Sequence, residues 1–76
     1  MVWEKLKDKE YRMVELLKDG DKVLGRVAIK DGDLYWNSQY LGDRGVWHNL
    51  GVYNGFQMAK QIVVDRIESR QEESSG

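Results

Sequence analysis

The sequence predicts an α+β domain: a small antiparallel four-stranded meander sheet with one C-terminal helix packed on one face. Three observations lead there. Between residues 11 and 53, large apolar side chains alternate with period two and are interrupted by short glycine-bearing turns, the pattern of consecutive hairpins. After that the spacing becomes helical, with Phe56, Ala59, Ile62, Val63 and Ile67 recurring on one side. The chain contains no proline, so nothing breaks the ladder of a continuous meander.

The N-terminal residues suit two structures. Trp3, Leu6, Met13, Val14 and Leu17 share one face of a helix over residues 3–17, whereas Tyr11, Met13, Val14 and Leu16 also fit a strand. A strand over residues 11–17 is preferred. Lys18-Asp19-Gly20-Asp21 has the length and glycine of a hairpin turn, and it is too short to reverse a helix into a strand. Trp3 is then expected to close the sheet edge or the open end of the core. Asp31-Gly32 is the next turn, separating strands over residues 22–30 and 33–40. A loop over residues 41–45 leads to the fourth strand, residues 46–53. Asn54 stands three residues before Gln57, the spacing of a capping box, so the helix is expected over residues 55–70. Met58 and Val64 lie off its apolar stripe. Residues 71–76 contain no apolar side chain and are expected to form a flexible tail on a single domain of residues 1–70.

Composition narrows the classes of function. With 76 residues, one core contributes only ~3–5 kcal/mol, so burying further surface by self-association is an expected stabiliser. Lys and Arg number 12 against 13 Asp and Glu, a balance that argues against bulk nucleic acid as the main ligand but permits a small anionic one. The absence of cysteine excludes disulfides and thiolate metal sites. No apolar run approaches a membrane span, and residues 1–10 alternate charges where a signal peptide would be apolar. A cytoplasmic protein without cofactor or metal is expected.

Apolar side chains lie on both sides of the expected sheet, yet one helix covers only one side. Tyr35, Trp47 and Tyr53, with Tyr11 and Met13, alternate against Val14, Leu16, Val27, Ile29, Trp36 and Leu50. The aromatic set is therefore expected on an open face, the mark of a binding module or a homo-oligomer. Arg26 is the most unusual charge, flanked by Gly25 and Val27 in an apolar strand. There it can stack on Tyr35 or Trp47, pair with a partner's carboxylate, or bind phosphate. Gly25 and Gly51 fall inside strands, where glycine permits a bulge or a close approach by another backbone or ligand. The candidate binding residues are Arg26, Tyr35 and Trp47, joined by Asn49 and by Arg44 in the loop. His48 is the only histidine and has no sequence neighbour suited to serve as nucleophile or dyad, so an enzyme is not expected. The glycines form no phosphate-loop signature.

Residues 33–66 carry a strand centred on Trp36, a glycine-bearing turn, then Asn49-Leu50-Gly51-Val52-Tyr53 and a helix with Ala59 in its first turns. This pattern resembles the sheet-plus-helix DNA-binding domains of plant ethylene-response-type factors and the arm-binding domains of tyrosine integrases. The resemblance implies a sheet face that enters the DNA major groove. Those families place several arginines and a tryptophan on that face, whereas the third strand here has no positive charge and Asn49 stands where the family has tryptophan. In style, the chain also resembles small bacteriophage accessory proteins that disable a host factor by occupying it. The expected function is accordingly a non-catalytic binding module, plausible for a phage-encoded protein. Through its open aromatic sheet face it would inhibit a host protein by occlusion or sequester a small ligand. A sequence-specific DNA-binding domain is the alternative.

Overall fold

The computed structural model describes residues 1–75, with side chains placed through Arg70, and shows an α+β chain. Five strands precede one helix: β1 (Val2–Leu6), β2 (Tyr11–Asp19), β3 (Lys22–Lys30), β4 (Trp36–Leu41), β5 (Trp47–Tyr53) and α1 (Phe56–Ser75). They form one antiparallel sheet in the order β1-β2-β3-β4-β5. The meander thus has five strands where four were expected. The additional strand, β1, pairs with β2 from Val2↔Lys18 to Leu6↔Val14, which removes the alternative of a helix over residues 3–17. Trp3 does lie on an edge strand, opposite Leu17.

Local chemistry sets the turns. Gly20 (φ 61°) takes the first central position of the two-residue β2–β3 loop, which a type II′ turn reserves for glycine. Gly32 (φ 87°) bends the next connection, and the Asp33 N–H donates to the Lys30 carbonyl at 3.1 Å. That turn consumes residues 33–35, so β4 starts at Trp36 rather than at 33.

Directly opposed residues of an antiparallel ladder project to the same side. The registers put Leu17, Gly25 and Tyr40 in one row, Glu15, Val27 and Ser38 in the next, and Met13 with Ile29 in a third. α1 packs over β3, β4 and β5 on this side. The core consists of Leu17, Val27, Ile29 and Trp36 from the sheet and Ala59, Val63 and Ile67 from the helix. Each large aliphatic buried there contributes about 1.5–3 kcal/mol relative to exposure. Phe56 stacks in a tilted arrangement on Trp36, with ring centroids 4.6 Å apart. Gly25 lets the helix approach the sheet closely, because a Cβ at that position would collide with Val63 Cγ1. Ser38 fixes the height: its hydroxyl is fully buried and donates to the Ala59 carbonyl at 2.8 Å.

The helix departs from expectation at both ends. The Ala59 N–H donates to the Gly55 carbonyl at 3.0 Å, which makes Gly55 the N-cap and puts Asn54 one residue too early to cap. Val64, expected off the apolar stripe, packs against the core, while Met58 is exposed. The helix is traced to Ser75 rather than ending at 70; the side chains of the expected tail, 71–76, and Gly76 itself lie outside the described residues.

Candidate functional site: the open sheet face

The side of the sheet away from α1 has two full rows. Glu4, Leu16, Arg26, Gln39 and Asn49 form one, and Leu6, Val14, Ala28, Asn37 and Val52 form the other. Leu41 and Trp47 lie opposed at the neighbouring end. Val14 and Ala28 are only 6% and 4% exposed although they lie outside the helix-side core, so neighbouring side chains of the open face shelter them.

The expected division of apolar residues between the two faces is partly reversed. Met13 and Tyr53, assigned to the open face, lie on the helix side opposite Ile29 and Trp36, and both pack against the core. Val14 and Leu16, assigned to the helix side, line the open face. Register shifts at Tyr11/Met13, Leu17/Lys18 and Ser38/Gln39 are the cause, since one inserted residue flips every side chain beyond it. Val27, Ile29, Trp36 and Leu50 pack on the helix side as expected.

Arg26 occupies the centre of the open face. Its Nε–H donates to Gln39 Oε1 at 2.6 Å, and its guanidinium lies 4.2 Å from the centroid of the Trp47 ring. Both residues are half-buried, which strengthens a cation–π contact by partial desolvation. Arg26 makes no ion pair among the described residues, so the guanidinium nitrogens beyond Nε have no protein carboxylate to satisfy them. The remaining charges of the face are a Lys18–Glu4 pair at 3.0 Å and Lys30, whose ammonium lies 5.7 Å from the Tyr11 ring. Three cations therefore share the face with one anion. Chemically, the arrangement offers an oriented fork of N–H donors ringed by aliphatic and indole surface.

Of the five candidate residues, the structure unites Arg26 and Trp47, with Asn49 two strands from Arg26 in the same row. Asn49 is exposed, and its Oδ1 accepts from the Gly51 N–H at 3.3 Å beside the bulge. Tyr35 lies in the turn before β4 and Arg44 in the β4–β5 loop; neither joins the Arg26 contact. Gly25 faces α1 and not this surface. Gln39, which fixes the Arg26 side chain, was missed, because the Asn37-Ser38-Gln39 run shows its partners only through the register. His48 stacks on Tyr40 with centroids 4.8 Å apart, on the helix side. Among the described residues, no three His, Cys, Asp or Glu gather into a metal-holding group, and no helix is long and apolar enough to cross a membrane. Comparison with protein-family models, with curated proteins and with solved structures finds no match.

Proposed function

We propose that this chain is a non-catalytic binding module whose open sheet face docks an acidic, partly apolar segment of a partner protein, with Arg26 as the anchor. The observation that carries the reading is the Arg26 guanidinium, oriented by Gln39 and Trp47 yet unpaired with any described carboxylate. Arginine and tryptophan held in an apolar ring are the residues that dominate protein interfaces. Occupying a host factor, the mode implied by the resemblance to phage accessory proteins, needs only such a surface. DNA is a poorer fit, because the face supplies three cations spread among Leu6, Val14, Leu16 and Leu41 rather than a basic stripe.

Heteronuclear NMR titrations test the reading with three probes: an alternating Glu/Leu peptide, its Lys/Leu counterpart, and a short DNA duplex at two salt concentrations. Saturable shifts at Arg26 Nε and Trp47 Nε1 with the acidic peptide alone are expected. Binding of the duplex with a steep salt dependence and none of the peptide would transfer the face to nucleic acid. Silence of both side chains toward the acidic peptide would overturn the docking role.

A further inference from the structure

The chain holds three asparagines, and the structure leaves one of them chemically unguarded. Asn37 lies inside β4, laddered to Ala28 on one side and to Val52 on the other, so its backbone is held extended. Asn49 is followed by Leu50, and its Oδ1 already accepts from the Gly51 N–H at 3.3 Å. Asn54 is followed by Gly55, and these two residues are the whole connection between β5 and α1. Both are exposed. Among the described residues, the Asn54 side chain makes no hydrogen bond and the Gly55 N–H donates to no carbonyl.

An asparagine whose next residue is glycine can close a ring on the main chain, because glycine has no Cβ to crowd the approach and its backbone turns freely. The Gly55 backbone nitrogen gives up its proton and bonds to Asn54 Cγ; the Cγ–Nδ2 bond breaks, and ammonia leaves with that proton. Water then opens the resulting succinimide at either carbonyl. Opening at Cγ restores the ordinary chain with aspartate at 54, whereas opening at the backbone carbonyl carbon routes the main chain through Cγ as isoaspartate. Asp19-Gly20 and Asp31-Gly32 reach the same ring only by expelling an oxygen from an ionised carboxylate, a much poorer electrophile, and their products keep the starting mass.

We propose that Asn54-Gly55 is a self-modifying joint: the pair deamidates through this succinimide with water as the only co-reactant, and the isoaspartyl product loosens α1 from the sheet. Its position gives the product its effect. Phe56 follows the joint directly, with its ring centroid 4.6 Å from that of Trp36, and the Gly55 carbonyl accepts the Ala59 N–H at 3.0 Å as α1 begins. Isoaspartate adds one main-chain carbon inside a connection of two residues, which puts the Phe56 stack and this helical bond out of register with β5. Aspartate leaves the length of the chain unchanged and puts a carboxylate beside a helix whose first turn carries no acidic residue, where it favours the helix. The two products therefore act in opposite directions on the same joint.

Incubation of the full folded chain at neutral and at alkaline pH, followed by peptide mapping with electron-transfer fragmentation, tests the proposal. The mass gain of an amide turned acid is expected at residue 54 ahead of residues 37 and 49, faster as hydroxide rises, with isoaspartate as well as aspartate among the products. Gly55→Ala, whose added Cβ would lie 3.7 Å from that of Met58 in ordinary contact, should slow the conversion severalfold. Separated by ion exchange, the isoaspartyl chain should melt below the parent, and Asn54→Asp should not. Deamidation of the urea-unfolded chain but not of the folded one would show that the fold guards the joint and would overturn the proposal. So would an unchanged rate in Gly55→Ala, or isoaspartyl chains that melt with the parent.

Discussion

A methyl group placed on Gly25 would meet not only Val63 Cγ1 but also the Gln39 carbonyl at 3.0 Å and Ile67 Cδ1 at 3.3 Å, so the helix would have to lift from the sheet. Gly25→Ala should therefore destabilise the protein by about 1–3 kcal/mol, the usual effect of overpacking a dense core. Equilibrium unfolding in urea measures it, and a variant as stable as the parent would mean that α1 does not rest on Gly25. A glycine inside an apolar strand left a bulge and a close approach equally open, and the structure shows the close approach, of the Val63 side chain. Which neighbour approaches was not legible, because the answer depends on the bulge beside Leu17. Arg26 and Trp47 obey a different logic, since both are half-buried on the side away from the helix. Arg26→Ala or Trp47→Ala should weaken partner binding by about 2 kcal/mol or more while the melting temperature moves little. A fall in melting temperature without a separate binding defect would make the pair a packing feature only.

At the level of elements, the hairpins β2–β3 and β3–β4 were readable because Gly20 and Gly32 mark their turns, and α1 because its apolar residues keep helical spacing. β1 escaped notice for a physical reason. It is five residues long, mostly exposed, and joined to β2 through Lys7-Asp8-Lys9-Glu10, which contains no glycine or proline to announce a reversal. The sequence also hid what ties this wing of the sheet to the helix. α1 packs over β3 to β5, and Lys60 reaches beyond them to Glu15 on β2 at 3.2 Å. Its ammonium lies 4.9 Å from the Trp3 ring and 4.6 Å from the Phe56 ring, so one side chain joins β1, β2 and α1. The Glu15 side chain is 9% exposed and that of Lys60 18%. Removing one partner leaves the other charge poorly solvated, so Glu15→Leu should cost about 2–3 kcal/mol, short of the full figure because Lys60 keeps some access to water. Glu15→Leu combined with Lys60→Met should recover most of that loss. Strictly additive effects in the double-mutant cycle would show that the two residues stabilise the fold separately.

The whole molecule presents two layers and a third surface that no element among the described residues covers. Val2, Leu6 and Val52 are 68%, 45% and 57% exposed on that face, and a small core gains by hiding them. Association of two copies through this face is therefore favoured by apolar contact, in keeping with the homo-oligomer expected from the sequence. Its electrostatics oppose it. A face-to-face pair sets Arg26 and Lys30 of each copy against cations of the other, with Glu4 already engaged by Lys18. Salt shortens the reach of that repulsion to about 8–10 Å near physiological strength and to about 3 Å at 1 M, while leaving apolar burial intact. Self-association should consequently strengthen as salt is raised, opposite to the weakening expected for an acidic partner on the same face. Sedimentation velocity at tens of micromolar protein across a salt series reads this directly, with the dimer fraction rising in the parent chain and falling in Trp47→Ala. Dimers that dissociate as salt rises, or that persist unchanged in Trp47→Ala, would place the contact at the β1 or β5 edge instead. A monomer at every salt concentration would leave the face to a different protein.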